Sequence, residues 1–212
     1  MKTIVCFGDS NTHGTMSMTD LGVAGRFDYG QRWTSLLQEK LPLWQVIAEG
    51  HPGRTTLHDD PIEGEYRNGA RILPAILESH RPIDVVLLML GTNDLKFRFS
   101  VGPVDIALSL EKLMRMIKAS GAGPNGAAPE VFLVAPPPIK EVGVLAEIFA
   151  GGAQKSQRLG AEIGRVAARN GLAFLDLKDL IQVSDVDGIH YELEANEVLA
   201  EAFAQKIRQH YE

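Results

Sequence analysis

Residues 83–94 read IDVVLLMLGTND, and this stretch decides the fold. Val85–Leu90 is the longest strictly apolar run in the chain, and polar residues begin two positions after it. An unbroken aliphatic run of this length is typical of a strand that is covered on both faces, as in a parallel sheet. The sequence therefore predicts a buried strand over Ile83–Leu90.

Further apolar runs lie on both sides of this strand, and segments with helical periodicity separate them. Between them, Ile106, Leu110, Leu113 and Ile117 recur at the spacing of one buried helix face. Strands that alternate with helices through short links favour parallel pairing and a three-layer α/β/α domain. The predicted strands are Thr3–Phe7, Gln45–Ala48, Ile83–Leu90, Val131–Ala135 and Ala173–Leu175.

Composition and charge narrow the range of partners. The chain has 212 residues, of which 45% are hydrophobic and 23% charged, and its net charge is −6 without a basic stripe. This balance argues against nucleic acid as a partner. No apolar run approaches the ~20 residues of a membrane span, and the first one is too short for a signal peptide. With Cys6 the single cysteine, we expect no intrachain disulfide and a cytoplasmic protein.

Polar constellations follow several of the predicted strands. They are Gly8-Asp9-Ser10-Asn11-Thr12, Gly53-Arg54, Gly91-Thr92-Asn93-Asp94 and Asp187-Gly188-Ile189-His190. A hydroxyl, a backbone donor on a glycine, an amide and a carboxylate–imidazole pair are the groups that serine acyl transfer requires. Parallel strands that all end at one edge of a sheet would bring these groups together.

The first and last constellations each have an alternative interpretation. Ser10 could cap the next helix, and it does not lie in a G-x-S-x-G elbow, a G-x-G-x-x-G motif or a P-loop. For His190, a carboxylate three positions upstream could accept the imidazole N–H across the turn at Gly188. The alternative is a turn aspartate followed by an unrelated histidine that enters a helix. Asp187 is therefore favoured over Asp185, which we interpret as a solvated turn residue.

The two middle constellations supply hydrogen-bond donors. The amide of Asn93 and the N–H of Gly53 could both bind an oxyanion, whereas Asp94 is interpreted as a structural residue that holds the loop backbone. Arg54 could bind an anionic substrate, although a surface ion pair is the commoner role for an arginine.

Other polar or irregular stretches favour structural interpretations. His58-Asp59-Asp60 resembles part of a metal site, yet a solvated loop is favoured because a further separated ligand is missing. Pro136–Pro138 predicts a fixed turn, for which a cis bond is considered. The loop Pro136–Gly152 is rich in apolar residues, which indicates a functional or interfacial role.

Taken together, the four constellations resemble the SGNH hydrolases, also called GDSL esterases or lipases. The serine, glycine, asparagine and histidine of that name match Ser10, Gly53, Asn93 and His190, and the family's aspartate matches Asp187. The chain is most similar to small bacterial acetyl and aryl esterases with acyltransferase ability. A departure is Asn11, where the family name has leucine. Another is Tyr191-Glu192, which follow His190 where the family often has a serine or threonine cap.

The resemblance implies one SGNH hydrolase domain over residues 1–212, with a flavodoxin-like sheet of strand order 2-1-3-4-5. It implies a serine esterase for short acyl esters, acetyl above all, which works through an acyl-enzyme and also transfers acyl groups to alcohols. A sugar O-deacetylase, a thioesterase and a non-catalytic binding module are the alternatives. No metal or cofactor is expected. The implied oxyanion donors are Ser10, Gly53 and Asn93, and the implied substrate-binding residues are Asn11, Thr92, Leu145, Phe149 and Ile189.

The esterases that this chain resembles are oligomers, an octamer among them. The apolar side chains of the loop Pro136–Gly152 are too many for free exposure to water. We therefore expect a homo-oligomer, an octamer being one form, in which this loop lies at a subunit contact near Ser10 and narrows the entrance. The residues concerned are Val142, Val144, Leu145, Ile148 and Phe149.

Overall fold

A computed structural model describes residues 1–211, and within them the strands form a parallel sheet of order β2-β1-β3-β4-β5. This is the predicted strand order, and every predicted strand is present with its ends shifted by two residues or fewer. The strands are β1 (Lys2–Gly8), β2 (Trp44–Gly50), β3 (Val85–Met89), β4 (Glu130–Ala135) and β5 (Ala173–Asp176).

Helices connect the strands and cover both faces of the sheet. They are α1 (Ser10–His13), α2 (Trp33–Lys40), α3 (Gly69–His80), α4 (Pro103–Ala119), α5 (Gly152–Asn170) and α6 (Leu193–Tyr211). Helix α1 is a single turn that follows β1 directly. Among residues 1–211, no helix has both the length and the apolar character that crossing a bilayer demands.

Alternate residues of β3 enter separate hydrophobic cores. Val86 and Leu88 pack with α3, α4 and α5, whereas Leu87 and Met89 pack with α2 and α6. Every residue of β3 is buried, which is the physical reason for its unbroken aliphatic sequence. Cys6, in β1, also lies in the second core.

The register of the sheet brings three strand ends to one place. Gly8, at the end of β1, pairs with Gly50 of β2 on one side and with Met89 of β3 on the other. The constellations that follow these strands therefore start side by side at the carboxyl edge of the sheet, where ligands of open parallel sheets bind.

The loop that follows β4 differs from its prediction in part. Leu145 and Phe149 are buried in the core of their own chain, and α5 begins at Gly152. The argument that these residues require another subunit to cover them is therefore wrong. In the described residues the cis peptide bond precedes Pro82, so the cis bond considered for Pro136–Pro138 is not found there.

Candidate active site

Ser10 is the first residue of α1, and Asp9 rather than Ser10 caps that helix. The carboxylate of Asp9 accepts a hydrogen bond from the N–H of Asn11 at 3.0 Å. The interpretation of Ser10 as the cap is therefore wrong. N–H groups in the first turn of a helix have no partner within the helix, so the N–H of Ser10 remains available to a ligand.

Gly53 lies in the loop after β2 with a positive φ of 74°, a conformation that side chains disfavour. A Cβ atom placed on Gly53 would lie 2.6 Å from Oε2 of Glu63. The absence of a side chain thus lets this carboxylate pack against the Gly53 backbone. Both residues line the same cavity as Ser10.

The structure corrects both interpretations of Arg54. Its side chain is buried, and its guanidinium donates to the carbonyl oxygens of Gly8, at 2.9 Å, and of Glu49. The guanidinium also stacks on the ring of Phe7, with 4.2 Å between its carbon and the ring centroid. Arg54 therefore joins the ends of β1 and β2 rather than binding an anionic substrate or a surface carboxylate.

Asn93 begins a short 3-10 turn four residues after the end of β3, and it lines the same cavity as Ser10. Its amide donates a long hydrogen bond of 3.4 Å to the carboxylate of Asp9. Burial raises the pKa of Asp9 to about 6, although the N–H of Asn11 and the positive charges of His190 and Arg54 act in the opposite direction. The nearby carboxylate of Asp94 adds to the rise.

Asp94 holds the neighbouring loop together, as predicted. Its carboxylate accepts hydrogen bonds from the N–H of Thr56 at 3.0 Å and from the Thr56 hydroxyl at 2.5 Å. The imidazole of His58 lies 2.9 Å from the same carboxylate, and this hydrogen bond raises the pKa of His58.

The interpretation of His58-Asp59-Asp60 as a solvated loop is wrong for Asp60. This carboxylate is buried, with 2% exposure, and lies 3.4 Å from the ammonium of Lys96. In the part of the chain that the structure describes, no group of three or more His, Cys, Asp or Glu side chains is arranged to hold a metal.

Asp187 and His190 meet within one tight turn. Oδ2 of Asp187 lies 2.6 Å from Nδ1 of His190, and Oδ1 accepts the backbone N–H of His190 at 3.0 Å. The N–H of Met18 also donates to this carboxylate, at 2.8 Å. Burial alone would raise the pKa of Asp187, but the hydrogen bond and positive charge of His190 and the backbone N–H groups outweigh it and hold the pKa at about 2.

An ionised Asp187 can only accept, so in the neutral imidazole of His190 the proton lies on Nδ1 and Nε2 is the acceptor. Asp185, the rival carboxylate, is exposed and pairs with Lys140 at 2.6 Å. Gly188 makes the turn possible, because its φ is 74° and a Cβ there would collide with the carbonyl oxygen of Lys140.

Ser10, Gly53, Asn93 and His190 line one cavity of about 400 Å³. Its walls contain most of the residues that the sequence indicated, together with charged and apolar residues that it did not. The lining consists of Ser10, Thr15, Met18, Leu21, Gly22, Ala24, Pro52, Gly53, Glu63, Arg67, Asn93, Lys96, Leu145, Ile148, Phe149, Ile189 and His190. Ser10, Gly53, Asn93 and His190 thus share a cavity in which a hydroxyl, an imidazole and oxyanion donors can act on one carbonyl group.

Asn11 and Thr92 are buried but lie outside this lining. The amide of Asn11 donates to the carbonyl oxygen of Ile189 at 3.2 Å, and the indole of Trp33 donates to the carbonyl oxygen of Asn11 at 3.0 Å. Asn11 therefore links the segment of Ser10 to the segment of His190. Leu145, Phe149 and Ile189 line the cavity, as the resemblance implied.

The charged lining residues Glu63, Arg67 and Lys96 were missed by sequence reasoning. Charged residues in loops are usually solvated, and nothing in their spacing distinguishes these from others. Met18 and Leu21 were missed for a related reason, since the irregular segment 16–30 carries no periodicity that would orient it.

Comparison with known proteins identifies the family. Residues 6–197 match the GDSL-like lipase/acylhydrolase family. The chain belongs to that family. This confirms the resemblance and the predicted enzyme class, a carboxylic ester hydrolase. No curated protein matches the chain at a significant level.

Solved structures of bacterial esterases superpose closely on this chain. An aryl esterase of M. smegmatis is 38% identical with a TM-score of 0.94, and 99% of each chain is covered. A carbohydrate acetylesterase from Sinorhizobium meliloti is 35% identical with a TM-score of 0.93, again over 99% of each chain. A second carbohydrate acetylesterase family member from that organism is 33% identical with a TM-score of 0.89, over 99% of this chain and 98% of the other.

Proposed function

We propose that this GDSL-like hydrolase is a serine esterase that removes short acyl groups, acetyl above all, through an acyl-enzyme on Ser10. One observation carries the proposal: Asp187 holds His190 at 2.6 Å, and His190 lines the same cavity as Ser10, Gly53 and Asn93. The names of the similar structures, an aryl esterase and carbohydrate acetylesterases, support the same substrate class.

In the proposed mechanism, His190 takes the proton of Ser10 as the hydroxyl attacks the ester carbonyl. Asp187 keeps the imidazole in the productive tautomer and stabilises its positive charge. The N–H groups of Ser10 and Gly53 and the amide of Asn93 bind the oxyanion, each donor being worth about 3 kcal/mol. His190 then protonates the leaving alcohol, and water or a second alcohol accepts the acyl group.

The preference for short acyl groups follows from the apolar part of the cavity wall. Leu145 and Phe149 are buried against the core as well as lining the cavity, and Ile148 also lines it. Side chains packed at interior density do not move aside without cost. A long acyl chain would have to displace them, whereas an acetyl group would not.

An organophosphate labelling experiment tests the covalent step. Diethyl p-nitrophenyl phosphate should modify the peptide that contains Ser10 and abolish ester hydrolysis, and Ser10→Ala should prevent both. Ser184→Ala serves as the matched control, because Ser184 is buried beside the Asp187 turn but outside the cavity lining. A protein that binds the ester without labelling or turnover would instead be a binding module.

Hydrolysis of matched acetyl and octanoyl esters tests the acyl preference. Rates on aryl acetates, acetylated sugars and acetyl thioesters separate the esterase from the sugar deacetylase and thioesterase alternatives. Formation of a mixed ester when an alcohol is added would demonstrate acyl transfer. Faster turnover of octanoyl than of acetyl esters would contradict the proposed short-chain preference.

We also propose a homo-oligomer, an octamer being one form, whose interface is formed by residues other than Leu145 and Phe149. Leu21 is 61% exposed in the cavity wall, and Ile62 and Phe97, which adjoin lining residues in sequence, are 76% and 67% exposed. Exposed apolar side chains in one region favour an interface. Ile62→Glu with Phe97→Glu should dissociate the assembly, whereas Val104→Glu on α4 should not. Light scattering that gives 23.1 kDa for the unaltered chain would contradict the proposal.

A further inference from the structure

Basic side chains gather beside the cavity, and the proposed mechanism uses none of them. Nδ1 of His13 lies 3.0 Å from the hydroxyl oxygen of Thr15, which lines the cavity. His51 directly precedes Pro52, another lining residue. Together with two arginines these histidines form what we call the basic cluster, which consists of His13, Arg26, Arg32 and His51.

The two arginines are fixed against the end of α1. Nε of Arg26 donates to the carbonyl oxygen of His13 at 2.9 Å, and Nε of Arg32 donates to that of Phe27 at the same distance. The N–H of Phe27 in turn donates to the carbonyl oxygen of Gly14 at 2.9 Å. The side chain of Arg32 crosses Gly14, since a Cβ on Gly14 would lie 2.8 Å from its Cγ. Both arginines are therefore held beside residues 13–14.

The end of β2 adds His51 to the cluster. A Cβ on Gly50 would collide with the backbone nitrogen of His13, so β2 and α1 pack closely here. Nη1 of Arg67 lies 3.2 Å from Nδ1 of His51. An arginine can only donate, so Nδ1 of His51 accepts and Nε2 carries the proton of the neutral ring.

No carboxylate neutralises the two arginines. Among residues 1–211, neither Arg26 nor Arg32 forms an ion pair, and their Nη groups donate to no protein acceptor. The charge of Glu49 reaches His51, but its carboxylate is hydrogen-bonded to His80 at 2.7 Å. The chain has 27 acidic residues against 21 lysines and arginines, so acidic partners are not scarce. Like charges held together cost free energy unless an opposite charge binds between them.

The pKa of His13 reflects the same surroundings. Burial lowers it to about 4, and the positive charges of Arg26, Arg32 and His51 add to the fall. A strongly shifted pKa that arises from burial and named charge partners beside a cavity is typical of a functional site. The cluster therefore resembles a binding site for an anion more than a solvated surface.

We propose that the basic cluster binds a tetrahedral dianion, a phosphoryl or sulfuryl group. The Nη groups of Arg26 and Arg32 present planar forks of N–H donors, which match the oxygens of such a group. A backbone carbonyl oxygen engages Nε of each arginine, so the forks are positioned before the ligand binds. A free inorganic ion and an alcohol half that carries the group into the adjoining cavity are the two sources of this chemistry.

A sulfate titration tests the site directly. Sulfate has the shape of a phosphoryl group and keeps both negative charges between pH 3 and 8. An NMR titration in 0.15 M NaCl should give a Kd of about 1 mM or lower for the unaltered protein. Arg26→Met and Arg32→Met should each raise the Kd by about tenfold to a hundredfold, the usual value of hydrogen bonds to a charged group. Arg32→Lys keeps the charge but not the fork, and it should recover only part of the loss.

Arg165→Met is the matched control. It removes one positive charge on α5, where Arg165 pairs with Glu162 at 2.6 Å, and should change the Kd less than threefold. Thermal melting checks that each variant is folded. The absence of binding at about 10 mM sulfate would overturn the proposal. Equal weakening in all three methionine variants would overturn it too, since sulfate would then respond to net charge alone.

The titration of His13 provides a second measurement. A bound dianion offsets the charges of Arg26 and Arg32, so the pH midpoint of the His13 ring signal should rise by about 1 when sulfate saturates the site. His13→Gln assigns the signal. His58, which is paired with Asp94 and lies outside the cluster, should keep its midpoint. An unchanged midpoint for His13 at saturating sulfate would contradict the assignment.

Paired esters distinguish the two sources of the dianion. 2-Acetoxyethyl phosphate carries a phosphoryl group on its alcohol half, and 2-methoxyethyl acetate is neutral there. If the substrate supplies the group, Arg26→Met and Arg32→Met should lower the ratio of kcat/KM for the first ester to that for the second at least tenfold. Sulfate should then compete with the first ester only. An unchanged ratio, with sulfate bound by the unaltered protein, assigns the site to a free ion.

This inference does not depend on the proposed function, and the two fail differently. An enzyme that is labelled on Ser10 but does not bind sulfate refutes the anion site alone. A protein that binds sulfate through Arg26 and Arg32 but is not labelled on Ser10 keeps the site and refutes the serine esterase.

Discussion

The turn that holds Asp187 and His190 and the sheet edge that carries Ser10, Gly53 and Asn93 are built in different ways. In the turn, one carboxylate receives both the side chain and the N–H of a residue three positions later. At the sheet edge, the residues are distant in sequence and meet because β1, β2 and β3 end in register. Local geometry thus orients the proposed base, whereas tertiary structure assembles the proposed oxyanion site. A substitution in the turn should therefore affect proton transfer by His190. A substitution at the sheet edge should affect stabilisation of the negative charge on the substrate oxygen.

The largest effect is expected in the turn. Asp187→Asn should lower kcat by about 10⁴, because an amide favours the wrong tautomer of His190. Asp185→Asn, two residues away, should change kcat less than twofold, because Asp185 is exposed and pairs only with Lys140. Ester hydrolysis at saturating substrate measures both. If Asp185→Asn were the more damaging variant, the assignment of the carboxylate would be wrong.

Loss of any one oxyanion donor at the sheet edge should lower kcat less than loss of the Asp187 carboxylate. Asn93→Ala should lower kcat by about 10²–10³ with little change in KM, since the amide is required mainly when negative charge develops on the substrate oxygen. Steady-state kinetics on an aryl acetate separate the two constants. A raised KM at constant kcat would make Asn93 a substrate-binding residue. The proposed difference in role between the turn and the sheet edge would then be wrong.

Substitutions of Arg54 test whether the enzyme requires the ends of β1 and β2 to be joined by this side chain. Arg54→Met removes the donor to the carbonyl oxygens of Gly8 and Glu49, so the ends of β1 and β2 lose the side chain that bridges them. We expect kcat to fall about tenfold and the unfolding free energy by roughly 2–4 kcal/mol, because both carbonyl oxygens lose a charged donor. Chemical denaturation and kinetics measure the two effects. Arg54→Lys keeps the charge but not the planar fork, and it should recover only part of each.

The smallest expected effect is on the stability of the fold, and its pH dependence distinguishes the buried carboxylates of Asp9 and Asp187. Burial raises the pKa of Asp9 from 3.8 to about 6, so its ionisation destabilises the fold as pH rises through that range. Asp9→Asn should therefore stabilise the protein above pH 6, by up to roughly 3 kcal/mol, and lose this advantage below pH 4.

Asp187 should show the reverse dependence. Its pKa is lowered to about 2, so the stability it contributes is complete above pH 3.8 and is lost as pH falls toward 2. Melting temperatures between pH 3 and 8 compare the two carboxylates. If the extra stability of Asp9→Asn did not vary with pH, ionisation of the Asp9 carboxylate would not be what destabilises the fold.

Much of the fold could be predicted because its signals are local. Aliphatic runs indicate buried strands, and Asp187-Gly188-Ile189-His190 contains its own hydrogen-bond geometry. The resemblance to SGNH hydrolases added the strand order. The pairing of Asp187 with His190, in preference to Asp185, follows from short spacing and agrees with the structure.

The environment of the charged residues could not be predicted. Arg54, Asp60 and Lys96 resemble ordinary surface residues in sequence, yet each is buried among partners from other segments. Leu145 and Phe149 were correctly predicted near the site but assigned to a subunit contact, whereas their own core covers them. A residue's burial and ion-pair partners depend on which distant segments pack on it, and periodicity does not report that.

By itself, then, the sequence determined the alternation of strands and helices and the turn that pairs Asp187 with His190, because these depend on neighbours within a few positions. Only the tertiary structure decided that Arg54 joins two strand ends and that Lys96 and Glu63 face the cavity beside Gly53. These contacts join residues that are distant in sequence, and they form only when the parallel sheet has brought its carboxyl ends together.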